Sequence, residues 1–305
     1  MKHRNLLLFL LLTVVWGSAF VAIKAGLGTP TAPAGFFDAP VLFAALRFDI
    51  AGVLMLGYAA YATEQPLPRG RHAWTSVLLS GLLMIAAYHA FLFVGETDPA
   101  VSSAVAAIVV SLSPVLTAGF SRLWLPSERL TALGAAGLLL GIVGVVLLSD
   151  PDLGNLGANA GVGLVFLATL SFSLGSVLNR RLDADVPIET MEAWAMLSGA
   201  LVMHAASIGA GESVAAVEFT PRALAALGYL SVVASAVGFL VYFDLLERLG
   251  PIEINLVSYA APPVAAVVGF LLLGEVVGVD AVVGFLVILA GFLLLKRDAV
   301  RAALA

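Results

Sequence analysis

The chain has 305 residues, 61% of them hydrophobic and only 11% charged, with a mean hydropathy of +1.06 and a formal net charge of −5. A soluble domain carries roughly 25% charged residues, so the composition excludes one and marks an integral membrane protein. Zero cysteines exclude disulfides and thiol chemistry, the four histidines (His3, His72, His89, His204) lack metal-motif spacing, and no lysine sits in a P-loop, so no metal, cofactor or ATP-driven engine is expected.

The N-terminal MKHRN leads into an apolar run over 6–27. That run is longer than the roughly 7 to 15 residues of a signal-peptide core, so it is read as a retained first helix. About 20 apolar residues cross a bilayer core as a helix, and on that measure the chain holds ten spans. They fall at 6–27, 39–62, 74–95, 99–123, 131–149, 160–180, 190–210, 223–247, 252–274 and 278–296. The connections are Pro/Gly/Asp/Asn-rich turns, too short to fold as soluble domains.

Basic residues at span ends set the orientation, because Lys and Arg are retained on the cytoplasmic side. With the N-terminus inside, that side holds Lys2, Arg4, Arg69, Arg71, Arg122, Arg129, Arg180, Arg181, Arg248, Lys296, Arg297 and Arg301. The other side keeps only Lys24 and Arg222, so both termini of this multi-pass cell-membrane protein are expected in the cytoplasm. The outer loops are acidic, with Asp38, Glu96, Asp98, Glu212, Glu218 and Asp280 among them, a pattern that hints at a high-salt habitat.

The chain repeats itself. TVVWGSAFVAIK (13–24) aligns with TLSFSLGSVLNR (169–180), setting Trp16 over Phe172 and Lys24 over Arg180. Pro114 finds Pro262 (262 − 114 = 148), while Glu128 finds Glu275, Gly137 finds Gly284 and Gly144 finds Gly291, each 147 apart (for example 275 − 128 = 147). Five spans per copy is an odd number, so the second copy must enter the membrane inverted. The halves are 1–149 and 160–305, with 150–159 as the linker.

WGSAFVAIK at 16–24, LRF at 46–48, the Pro-then-acid segments at 113–128 and 262–275 and the glycine-patterned helices after each resemble the EamA family of the drug/metabolite transporter superfamily. The resemblance covers nearly the whole chain. It departs in the first Pro-to-acid spacing, one residue longer than the second (14 against 13), where LPSE replaces an LGE-like ending. It implies an all-α protein of ten transmembrane helices in two inverted five-helix repeats around a central cavity, moving small organic solutes, often outward. The expected partners are then a small-molecule solute and the lipid bilayer, not nucleic acid.

In lipid, polar side chains should face the bundle interior or a wet cavity. Candidate solute-binding residues are Trp16, Tyr88, His89, Ser111, Ser235, Tyr242, Asn255, Ser258 and Tyr259, against the plainer reading that Ser and Thr only bridge helices. Pro114, Pro262 and Pro263 each free a backbone carbonyl and are candidate hinges, or static kinks. Intramembrane charge costs about 2.5–3.5 kcal/mol on insertion scales, which singles out Arg47, Asp49, Asp244 and Glu253 for coupling or pairing. Asp244 has Arg248 at i+4 as a local partner, and Asp49 needs one on another helix. Lys24 and Arg180 are read as helix-end cations that snorkel, and His204 as a residue packed in the bundle. Gly134, Gly137, Gly141 and Gly144 with Gly284 and Gly291 are read as scaffold, with a homodimer face as the alternative. The functional expectation is a secondary transporter of amino-acid-like or amphipathic solutes, working outward by alternating access. A lipid- or prenyl-modifying enzyme lacks the clustered carboxylates and nucleophile elbow it would need, and a channel is the remaining rival.

Overall fold

The computed structural model describes residues 2–124, 132–149, 160–249, 254 and 257–295. Glu128, Glu253 and Asn255, singled out above, lie outside the described residues. Backbone groups in lipid must be satisfied within their own segment, and the apolar runs accordingly form helices. These are α1 (Lys2–Leu27), α2 (Pro40–Ala62), α3 (Gly70–Glu96), α4 (Ser103–Trp124), α5 (Ala132–Ser149), α6 (Ala160–Leu182), α7 (Ile188–Gly209), α8 (221–249), α9 (Val257–Leu273) and α10 (Val279–Leu295). Six described helices pass both length and hydropathy for a membrane crossing, and α5, α9 and α10 are shorter apolar ones. Consecutive helices alternate in direction, so α1 starts and α10 ends on one face, called here the terminal face; the opposite is the far face. The two five-helix halves are therefore inverted repeats in a ten-helix integral membrane protein.

The repeats pack by exchange. The first helix of each lies on the fourth of the other, α1 on α9 and α6 on α4, while α2 packs on α7 and α5 on α10. Glycines set the closest of these contacts. A Cβ on Gly144 would meet the Gly284 carbonyl at 2.8 Å, and one on Gly291 would meet the Gly137 carbonyl at 2.6 Å. These two contacts are images of one another under the repeat, and they occupy the glycine face within the chain.

The far-face acids have a local cause. Every even-numbered helix starts at that face, where backbone N–H groups are unpaired and the helix dipole is positive. Glu212 accepts from Val41 N and Leu42 N at the start of α2, Asp98 from Gly161 N at the start of α6, and Glu275 from Ser103 N at the start of α4. Each bond runs from one repeat to the other. Three of the far-face acids thus cap helix starts across the repeat boundary.

Two helices depart from α geometry at equivalent places. Gly81–Ala87 in α3 and Tyr229–Val237 in α8 are π-helical, and their first residues are separated by the repeat offset (229 − 81 = 148). A π-turn leaves carbonyls poorly paired with their own helix. Here the other repeat supplies donors: Trp16 Nε1 to Ala234 O at 3.1 Å, and Ser171 Oγ to Leu83 O at 2.8 Å.

Candidate solute cavity

A cavity of about 260 Å³ lies between the repeats, lined by residues of α1, α2, α3, α4, α6, α7, α8 and α9 together with Ile254. Its walls are largely apolar, and aromatic rings gather at two places. Trp16 stands 5.3 Å from Tyr242 and 5.7 Å from Phe239, and Tyr88 stands 5.3 Å from Phe172, each as ring centroids. Gly238 makes the first group possible, since a Cβ there would come within 2.8 Å of Trp16 Nε1.

Just after its π-segment, α3 presents Tyr88 and His89 to this space. His89 Nδ1 is 2.9 Å from Ile85 O, and its ring lies edge-on to Phe48 at 4.3 Å. Arg47 also faces the cavity, although it is only 6% exposed. Its Nε donates to Ser235 Oγ at 3.0 Å, and its guanidinium lies 4.9 Å from the centre of the Phe48 ring and 6.0 Å from that of Phe93. That cation–π setting partly offsets the cost of burying a charge.

Of the candidates drawn from the sequence, Trp16, Arg47, Tyr88, His89, Pro114, Tyr242 and Ser258 line the cavity. Ser235 stands behind it, holding Arg47. Ser111 does not line it: buried on α4, it donates to Ile108 O of its own helix. Tyr259 points instead toward Phe292 of α10, with ring centroids 4.6 Å apart. Pro262 and Pro263 sit inside α9 away from the lining. Pro114 begins the second segment of α4 after a turn at Ser111 and Leu112, and the Val110 carbonyl it leaves unpaired takes the Ser113 hydroxyl at 2.7 Å. That carbonyl is thus satisfied by protein, not held open for a ligand.

The charged candidates part company. Asp49 turns away from the cavity and meets His204 Nε2 on α7 at 2.7 Å. His204 is therefore the hydrogen-bond partner of Asp49, not simply a packed residue. Asp244 binds Arg248 at 2.8 Å, as the i+4 spacing foretold, and also Arg4 at the start of α1, 3.3 Å away, outside the cavity. Lys24 is corrected most sharply. It does not snorkel: it is 5% exposed, and its Nζ donates to the carbonyls of Glu96, Asp98 and Val101 at 2.7, 3.0 and 2.8 Å. All three of its N–H groups are spent on the turn joining α3 to α4. Its repeat partner Arg180 is exposed. Glu96, read as an outer-loop acid, is wholly buried beside this cluster.

One lining residue escaped the sequence reading. Glu192 of α7 reaches the cavity near Tyr242, and among the described residues no hydrogen bond or ion pair meets its carboxylate. The signal was available, because Glu192 falls within the span at 190–210, where a carboxylate is as costly as Arg47. At 1.5 Å per residue, Glu192 lies roughly 6 Å inside the terminal face and Arg47 roughly 10 Å inside the far face. The cavity thus offers an anionic end and a cationic end, separated by roughly 15 Å along the helix axes.

An inverted-repeat helical bundle with a central, sparsely charged cavity and broken helices at its walls is the architecture of a membrane transporter. The chain belongs to the EamA-like transporter family, which matches residues 3–150 and 159–297. It is 31% identical over 266 residues to YedA, an uncharacterised inner membrane transporter of Escherichia coli strain K12, covering 87% of this chain and 81% of that one. An uncharacterised transporter of Archaeoglobus fulgidus is 26% identical over 94% of this chain and 97% of its own. A chloroplastic WAT1-related protein of Arabidopsis thaliana is 28% identical over 92% of this chain and 66% of its own length. A solved crystal structure with 23% identity superposes with a TM-score of 0.65 across 98% of this chain and 99% of that chain, a likeness of fold.

Proposed function

We propose that this transporter carries small amphipathic or amino-acid-like solutes bearing an ammonium group, outward, by alternating access between its two repeats. The reading rests on Glu192: a carboxylate with no partner among the described residues, on the wall of a largely apolar cavity, is a receptor for a cation. Tyr242, Trp16 and Phe172 supply the faces against which an apolar or aromatic portion of the solute packs. Arg47, deeper toward the far face, would receive a carboxylate as the solute advances. The buried Lys24 cluster near the far-face end of α1 supports loading from the terminal face, and the excess of basic residues at that face supports a cytoplasmic assignment for it.

The test is counterflow in proteoliposomes preloaded with amines, zwitterionic amino acids, sugars or organic anions. Accumulation of labelled amine or zwitterion is the expected result, with Glu192→Gln raising the half-saturating concentration by about tenfold, the loss of one charge-assisted contact. Exchange confined to anions or sugars, or an unchanged Glu192→Gln, would overturn the assignment.

A further inference from the structure

Glu96 ends α3 near the far face, beside the buried Lys24 cluster and beyond Arg47 of the cavity, in surroundings that ought to exclude an acid. It is 0% exposed, and neither carboxyl oxygen has a hydrogen-bond partner. The obvious donor is Lys24, yet an ammonium has three N–H groups and all three go to backbone carbonyls, one of them that of Glu96 itself. The groups that face it are Lys24 from α1, Arg47 from α2, Tyr88 on its own helix and Glu275 from the turn before α10, while Asp98 of the α3–α4 turn faces Lys24. Arg47 is held by Ser235 and the Phe48 ring, and Glu275 takes Ser103 N at the start of α4. From α6, Gly161 and Val165 pack on Gly95 so closely that a Cβ there would lie 2.8 Å from each.

An ionised carboxylate with no donor costs several kcal/mol to bury, and a neutral carboxylic acid costs about 1–3. We infer that Glu96 is a proton-binding site built into the far-side closure of the cavity, occupied while that end is shut and emptied when it opens. On opening, water reaches the group and one proton passes from the carboxyl oxygen to far-side water. The carboxylate left behind draws the Lys24 ammonium away from the three carbonyls, and the turn between α3 and α4 loses its clamp. Opening releases a proton, so far-side acidity favours the closed state and rising pH favours the open one.

The natural absence of cysteine gives a clean test. Ser103→Cys, isosteric at a buried position beside Glu275, reports opening through its reaction with an impermeant maleimide, corrected by the rate of N-acetylcysteine at the same pH. The corrected rate should rise by up to about tenfold per pH unit, the slope for one released proton, and should be low and flat once Glu96→Gln is added. Infrared spectra in the Glu192→Gln background should carry a protonated-acid carbonyl band at neutral pH that Glu96→Gln removes. A flat rate in Ser103→Cys, the same slope with Glu96→Gln, or no acid band would each overturn the site; the first and third need no Glu96 variant to fold. Neither measurement uses a solute, so their failure leaves the transport reading standing.

Discussion

Replacing Lys24 by methionine keeps the length of the side chain and deletes its three hydrogen bonds, of 2.7, 3.0 and 2.8 Å. Val101 N also donates to Asp98 O, so that carbonyl stays paired. The Glu96 and Val101 carbonyls have no second donor among the described residues. Each buried carbonyl left unpaired costs about 1–3 kcal/mol, and the loss of a buried cation near Glu275 acts in the same direction. The expected destabilisation is about 3–5 kcal/mol, a factor of roughly 150 to 5,000 in the unfolding equilibrium. Equilibrium unfolding in mixed micelles, followed by the fluorescence of the four tryptophans, measures it. Arg180→Met is the matched control. Exposed at the end of α6, it should change stability by less than about 0.5 kcal/mol, although the repeat aligns it with Lys24. A Lys24→Met protein within about 1 kcal/mol of the parent, where surface substitutions normally fall, would refute the clamp.

A Cβ on Gly17 would lie 2.7 Å from Val264 Cβ and 2.8 Å from Ala261 O, neither of which can swing aside, whereas Gly57 has nothing within 4 Å. Gly17→Ala should therefore cost about 1–3 kcal/mol by parting α1 from α9, while Gly57→Ala should gain up to about 1 kcal/mol of helix propensity; equal effects would refute the packing. His204→Ala strands Asp49 on the bundle surface and should cost about 2–3 kcal/mol, the price of a lone charge at depth. Removing both side chains should restore most of that stability with counterflow unchanged, and a double variant no better than the single would sink the pairing.

Much of the frame was written in the order of residue types. The ten spans come within a few residues of the helices because, in lipid, hydropathy and helix formation are one requirement. The inverted repeat was legible in Trp16, the Pro114 and Pro262 pair and the glycines, and it returns as mutual packing of α5 on α10. The site was less legible, for two physical reasons. A side chain near a helix end can reach water or turn inward, and span position cannot say which: Lys24 and Glu96 turn in, while Arg180 turns out. Partners from distant helices were also invisible, so Asp49 looked like a site residue until His204 was seen beside it. The two π-segments left no mark, because no residue type demands an i→i+5 turn.

Those π-segments bear on how the cavity wall can change its chemistry. An extra residue in a turn can migrate along a helix by handing its bonds to the next turn, and each side chain it passes swings by about 100° around the axis. In α3 such a slip would carry Tyr88 and His89 out of the wall and bring their neighbours in; in α8 it would do the same to Tyr242 and the Ala234 carbonyl that anchors Trp16. The lining could thus be re-dealt like cards in place, one hand for capture and another for discharge, without any helix leaving its berth.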